Sequence, residues 1–349
     1  MSLQKDFSSD NRAGASPEIL RELAAANKGP AAAYGEDASG RDVECVVSNL
    51  FEKDVAVFPV VSGTAANCLA LAAVVPAYGG ILCSDDAHIS RAECGAPEFF
   101  TAGAKIITAP SDEGRLTPEQ VMATLDAFPP AASDRTLMAA LSVTQSTECG
   151  TLYSCSDIQA LSTLAHQRGL AMHMDGARFA NALVSLGCSP AELSWKAGVD
   201  MLSLGTSKNG TYCGELIIFF DVSKRTHFRR ILKRSGHLLA KQRFLSAQIL
   251  AYFRDDLWLR NARQANRTAS LLARKLAARP DIDLRYEAAC NEVFAILPDG
   301  LIEALRDEGY SFKTWGAGGA GRSLVRFVTS FCTQESDIEA LANCRAFHG

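Results

Sequence analysis

Lys208 stands in "MLSLGTSKNGTYCGELIIFF" (Met201 to Phe220), where a turn of Gly, Thr, Ser and Asn joins two strongly apolar runs. Flanks of this kind hold the amine near the interior, where an ammonium is costly unless something answers it. An amine placed there can condense with a carbonyl compound as a Schiff base. Asp175 ends another apolar run, "LAMHMD", and is followed by Gly176-Ala177-Arg178. Its carboxylate is expected to be desolvated and to need a cation or strong donors to stay ionised. Arg178 is one candidate, and a purely structural Asp–Arg pair is the competing reading. His88 follows the run "GILCS" in "DDAHIS", where a lone histidine is more often structural than chemical. Ser62-Gly63-Thr64 follows "VAVFPVV" and opens a helical pattern. Small residues and a helix N-terminus present backbone N–H groups to an anion, although the same triplet is also an ordinary helix start.

The elements around these residues alternate. Apolar runs at 55–60, 80–84, 104–109, 136–144, 170–175, 201–205 and 215–221 read as strands. Between them, "TAANCLALAAVV", "TPEQVMATLDAF" and "SDIQALSTLAHQRG" read as helices, each opening on a Thr or Ser suited to an N-cap. Strands apolar on both faces, alternating with helices, predict an α/β fold with a seven-stranded, mainly parallel sheet covered by helices. After about residue 237 long helical stretches (238–254 and 257–278) lead to short strand and helix patterns, predicting a small C-terminal α+β domain. The expected division is an N-terminal segment 1–45, a large domain 46–250 and a small domain 251–349.

Ligands of open parallel sheets bind beyond the carboxyl ends of the strands. Ser62-Gly63-Thr64, His88, Asp175 and Lys208 all fall at such ends. An anion cradle, a ring to stack, a buried carboxylate and a buried amine are together what pyridoxal phosphate requires: a phosphate site, a ring partner, a counter-charge for the pyridine nitrogen and a Schiff-base lysine.

"YGEDASGRDVECVVSNLF", "SGTAANCLAL", "DDAHISRAECGAPEFF", "HMDGARFANALVSLG", "SKNG" and "VRFVTSF" together resemble the threonine aldolase family of fold-type I pyridoxal-phosphate enzymes. The similarity runs from about Phe7 to Asp337 with the motifs in order. It implies a fold-type I transferase-like architecture and retro-aldol cleavage of L-threonine, L-allo-threonine and related β-hydroxy-α-amino acids to glycine and an aldehyde. The same cofactor also serves β-elimination, racemisation and transamination. The resemblance assigns the cofactor lysine to Lys208, the pyridine partner to Asp175, the stacking histidine to His88 and the phosphate loop to Ser62-Gly63-Thr64. It assigns the substrate carboxylate to Ser9 (or its neighbour Ser8), Arg178 and Arg326. It further implies a homodimer or homotetramer with active sites at the subunit interface. Since a doubly charged phosphate needs more positive charge than Ser62-Gly63-Thr64 supplies, Lys233 or Arg234 of the basic run is expected to approach the neighbour's phosphate. Two departures stand out. Where many members carry "ENTH", this chain has "TQSTE", with Thr147 at the histidine's place and Glu148, a possible base, beside it. The lysine is followed by Asn-Gly where Gly-Leu-Gly is commoner, as in a branch of bacterial members.

"GAGGAG" (Gly316 to Gly321) fits a dinucleotide fingerprint literally, but it precedes a strand pattern, not a helix, and reads as a flexible loop beside the site. Across 349 residues, 48% apolar and 21% charged with a net charge of −4, no basic face suits nucleic acid. The densest basic run, Ser223 to His237, reads as a solvated helix face. Eleven cysteines, odd in number and without metal-ligand spacing, suggest reduced core thiols and no metal site. "MSLQKDFSSDNR" has no apolar leader and no run reaches membrane length, so a cytoplasmic, membrane-free protein is expected.

Overall fold

The computed structural model describes residues 5–130 and 134–347. Each of the seven apolar runs forms a strand: β1 (Ala56–Val60), β2 (Gly79–Ser84), β3 (Lys105–Ala109), β4 (Leu137–Thr144), β5 (Ala171–Gly176), β6 (Met201–Leu204) and β7 (Glu215–Phe219). They lie in the order β1-β7-β6-β5-β4-β2-β3. All neighbours are parallel except β7, which runs antiparallel to both β1 and β6. Successive side chains point to opposite faces, and both faces are dry. Leu82, Met174, Leu202, Leu204 and Ile218 join one core cluster, whereas Ile81, Cys83, Met201, Ile217 and Phe219 join another. This two-sided burial explains why the strands are apolar throughout, each large side chain contributing roughly 1.5–3 kcal/mol.

The covering helices, in chain order, are α1 (Pro17–Ala26), α2 (Ala38–Leu50), α3 (Gly63–Ala72), α4 (His88–Arg91), α5 (Ala96–Phe100), α6 (Pro118–Leu125), α7 (Cys155–Gln167), α8 (Phe179–Leu186) and α9 (Arg225–Arg234). α10 (Arg243–Phe253) and α11 (Leu257–Ala277) lead to the second sheet. α6 is capped by Thr117 as predicted, in a full capping box. The other two caps lie two residues earlier than the sequence suggests: Ser62, not Thr64, caps α3, and Ser154, not Ser156, caps α7. In each case the earlier serine has extended backbone and its hydroxyl accepts from the N–H three residues on. The helix expected at 238–254 begins at Arg243.

A four-stranded antiparallel sheet, ordered β10-β11-β9-β8, uses β8 (Asp283–Leu284), β9 (Glu292–Pro298), β10 (Lys313–Gly319) and β11 (Arg322–Val328), with α12 (Asp299–Asp307) and α13 (Glu335–Ala342). The glycines of "GAGGAG" are therefore not a flexible loop. Gly316 and Gly319 pair with Leu324 and Arg322 inside β10, and Gly319 and Gly321, at φ of 114° and 68°, turn the hairpin. A Cβ on Gly318 would stand 2.6 Å from Ile296, so close backbone approach demands glycine there. The N-terminal segment belongs to this layer. Phe7 exchanges backbone hydrogen bonds with Ser311 and Val328 and is buried in the small sheet's core. That anchorage carries Ser8, Ser9 and Asp10 toward the carboxyl edge of the large sheet.

Candidate active site

Asp175 is the last acidic residue of the central strand β5 and is buried. Its carboxylate accepts from Asn67 Nδ2 at 2.9 Å and from the Ala177 backbone N–H at 3.1 Å. Arg178, the expected partner, is not paired with it. The same Asn67 amide donates to Glu93 Oε1 at 3.0 Å, and that oxygen lies 2.8 Å from His88 Nδ1. A continuous chain therefore runs His88–Glu93–Asn67–Asp175, with His88 partly open and the other three buried. The hydrogen bond to Glu93 leads the upward shift of the His88 pKa, against burial, with the fields of Asp175 and Glu148 adding to it. Asn67 lies on α3, whose N-terminus is formed by Ser62 (capping Ala65 N–H at 3.2 Å), Gly63 and Thr64. Ser62 and Gly63 are exposed, and a Cβ on Gly63 would meet nothing within 4 Å, so the start of the helix is open to solvent.

One strand along, β6 leads into the Lys208 turn, a single 3-10 turn at Ser207–Asn209. The turn is fastened on every side. Glu215 accepts from the Thr206 N–H, and Thr206 Oγ1 bonds Thr211 Oγ1 at 2.7 Å and donates to the Gly214 carbonyl. Asn209 Nδ2 donates to Tyr252 Oη at 2.7 Å and to the Trp258 carbonyl at 2.8 Å, while its own carbonyl accepts from Asn261. The Asn-Gly after the lysine thus has a structural reason: Asn209 ties the turn to α10 and α11. Gly210, at φ of 119°, leaves room that a Cβ would take from Ser16 Oγ, 2.4 Å away. Burial raises the pKa of Glu215, partly offset by its donors and by the positive charge of Lys208.

The charges that the sequence could not pair meet in a third group. Arg178 forks onto Asp10 through Nε at 2.8 Å and Nη2 at 3.1 Å, and its Nη1 lies 3.3 Å from Glu292 Oε2. Arg326 Nη1 donates to Glu292 Oε1 at 3.3 Å, and the indole of Trp315 covers its guanidinium at 4.4 Å. Asn291 Nδ2 also donates to Asp10, at 3.0 Å. All four charged groups are buried. Burial pushes the Asp10 carboxyl up, but Arg178 and then Lys208 outweigh it, so it stays below its ordinary range. Lys208 is therefore within electrostatic reach of this nest. Glu148, half-buried, adds its field at His88, Arg178 and Arg326 alike, so the three lie within electrostatic reach of one carboxylate.

Ser8 and Ser9 both have local duties: Ser8 Oγ donates to Asp6 at 2.6 Å, and Ser9 Oγ accepts from the Asn11 N–H. Thr147 is buried in a turn, its hydroxyl bonded to Thr151 Oγ1 at 2.7 Å and to the Glu113 carbonyl, while the charge of Glu148 beside it acts on His88 and the arginines. Asn67, Glu93, Asp10 and Glu292 were not foreseen. Signals existed for two: Asn67 is a lone amide in an otherwise small, apolar helical run, and Glu292 opens a buried strand.

Residues 6–298 match the family model described as beta-eliminating lyase. The chain belongs to the beta-eliminating lyase family. Among curated members similar to it are low specificity L-threonine aldolases of Pseudomonas aeruginosa (43% identical, spanning 96% of this chain and 94% of that protein) and of a Pseudomonas species (40% identical, 97% and 96%). A solved threonine aldolase from Leishmania major superposes with a TM-score of 0.91 at 27% identity, covering 97% of both chains. Within the family the seven-stranded sheet and the smaller antiparallel sheet of this chain are thus a shared architecture.

Proposed function

We propose that this protein is a pyridoxal-phosphate-dependent aldehyde-lyase that cleaves L-threonine, L-allo-threonine and related β-hydroxy-α-amino acids to glycine and an aldehyde. The observation that carries the reading is that Lys208 and the His88–Glu93–Asn67–Asp175 chain stand at the carboxyl edge of one sheet, with the Arg178–Arg326 pair within electrostatic reach. The residues fit the cofactor: α3 offers an open helix N-terminus at Ser62, Gly63 and Thr64 for a phosphate, and Asp175 offers a buried, hydrogen-bonded carboxylate for a ring nitrogen. The named activities of the Pseudomonas relatives agree.

When bound, the cofactor supplies a carbonyl that condenses with amino groups and a ring that draws electrons from the breaking Cα–Cβ bond. Lys208 would hold it by its amine. Asp175 would keep the proton at the ring nitrogen, and His88, fixed by Glu93, would lie against the ring. Arg326, with Arg178 and the Ser9 segment, would hold the substrate carboxylate and so turn the scissile bond to the required angle. Glu148 or His88 would take the proton from the β-hydroxyl, for which Thr147 is both unsuited and turned away. No metal is called for.

The exposed phosphate cradle and the basic helix α9 favour a homodimer or homotetramer with shared sites, with Lys233 or Arg234 reaching a neighbour's phosphate. Within one chain Lys233 lies over the Tyr34 ring at 4.8 Å, and Arg225 and Arg229 pair with Glu44 and Glu36. All eleven cysteines are free, in keeping with the cytoplasm. Among the described residues no helix is long and apolar enough to cross a membrane.

Incubating the cofactor-loaded protein with threonine, allo-threonine and phenylserine tests the proposal. Release of glycine and the matching aldehyde in equal amounts is expected. 2-Oxobutyrate from the threonines or phenylpyruvate from phenylserine, with ammonia and without glycine, would instead mark a β-eliminating activity and sink the aldolase reading.

A further inference from the structure

The two arginines proposed to receive the substrate carboxylate are already bridged by a carboxylate of the protein, and the two carboxylates in the nest are not held alike. Asp10 takes the Nε and Nη2 edge of Arg178 at 2.8 and 3.1 Å, with Asn291 as an additional donor. That is the forked geometry of a permanent pair. Glu292 touches Arg178 and Arg326 through one nitrogen each, both at 3.3 Å. Charge-assisted N–H···O contacts usually close to about 2.7–2.9 Å, so both are slack. Glu292 Oε2 and Arg326 Nε, although buried, have no hydrogen-bond partner. Unused donor and acceptor capacity of this kind is costly to bury and is kept where a ligand completes it.

We propose that Glu292 is a placeholder, holding Arg326 and the outer nitrogen of Arg178 where an amino acid's carboxylate binds and yielding them on its arrival. This rests on the reading of Arg326 given above. The groups facing Glu292 are Arg178, Arg326, Asp10 and Glu148, with the thiols of Cys149 and Cys290 nearby. Burial already raises the Glu292 pKa despite the two arginines. A substrate anion that takes over the arginines removes the compensating charge and adds a like one, raising it further. Carboxylate binding therefore takes up a proton and weakens as pH rises through the interval between the two values.

The test uses 3-hydroxybutyrate, which has threonine's carboxylate and β-hydroxyl but no amine, titrated calorimetrically into the cofactor-loaded protein. In two buffers of unlike ionisation enthalpy the heats are expected to differ by a fractional proton uptake. Glu292→Gln keeps size and hydrogen-bonding groups but not charge. It is expected to bind about tenfold tighter and without proton uptake, with an unchanged far-ultraviolet spectrum and cofactor absorbance. Equal or weaker binding by a folded Glu292→Gln protein would overturn the proposal and make Glu292 a fixed support. If that variant fails to fold, wild type decides: absence of proton uptake at every pH from the ordinary carboxylate range upward at which the protein stays folded overturns it. The two readings separate cleanly. Tighter binding by Glu292→Gln in a protein that releases no glycine from threonine supports the placeholder and breaks the aldolase. Undiminished 3-hydroxybutyrate binding by Arg326→Ala in an active aldolase breaks the placeholder alone.

Discussion

The carboxyl edge of the large sheet and the arginine–carboxylate nest lie within electrostatic reach of each other, yet they are built in opposite ways. Asp175 lies at the end of β5, and His88 and Lys208 each stand four residues past the ends of β2 and β6; the parallel sheet brings those strand ends together. His88 finds Glu93 only five residues away, on the next stretch of chain. In the nest, Arg178 is 168 residues from Asp10, and Arg326 is 34 from Glu292 across an antiparallel strand pair. The first is a consequence of topology. The second is a consequence of charge neutralisation, because buried ions are stable only in compensated groups. A charged residue in an apolar run announces that a partner exists, but not which one.

If the sheet edge carries the chemistry and the nest only binds, substitutions on the two sides should differ in kind. Lys208→Ala should have the largest effect, lowering turnover by about 10⁴-fold or more, and borohydride reduction should no longer fix the cofactor to the chain. Label found elsewhere in wild type by peptide mapping breaks the assignment. Asp175→Asn should retain fold and some cofactor while kcat falls by roughly 10²–10³-fold; wild-type kcat would remove Asp175 from the chemistry. Arg326→Ala should act on the other parameter, raising the threonine KM about 10–100-fold with a normal cofactor spectrum. An unchanged KM would mean the nest does not hold the substrate.

The smallest effect on turnover should come from His173, two residues before Asp175. It is buried with its ring nitrogens 2.8 Å from Ser142 Oγ and 3.0 Å from Ser203 Oγ, so it spans β4, β5 and β6. Burial lowers its pKa to about 4. The unfolded chain binds the proton first, so the stability contribution is intact above about pH 6.5 and is lost as pH falls through about 4. The loss amounts to roughly 3 kcal/mol at the acid end. His173→Gln should flatten that part of the urea-midpoint profile relative to wild type; parallel profiles would show that His173 is not held neutral.

The seven strands were legible because both faces are buried, which leaves each as an uninterrupted apolar run. The edge residues were legible because a polar group at the end of such a run is conspicuous. Caps were misplaced by two residues because several Ser and Thr compete locally and only backbone geometry chooses among them. Asp10 gave no signal: it sits among Ser, Asn and Arg in "FSSDNR", and its burial depends on Phe7 docking into the small sheet. The glycine run misled because pairing with β11 and the approach of Ile296, not mobility, require it.

Helix α3 has seven consecutive buried residues, Ala65 to Leu71, and so cannot slide or tilt without disturbing every side at once. It carries the open N-terminus at Gly63 and, four residues on, the amide that holds both Asp175 and Glu93. At 1.5 Å per residue these lie about 6 Å apart along the axis. The helix is in effect a caliper of fixed opening, with the proposed phosphate site at one jaw and the buried Asp175 carboxylate beyond the other. Inserting one residue between them would turn Asn67 by about 100° and release both carboxylates while leaving the hydrogen bonds of the lysine turn in place.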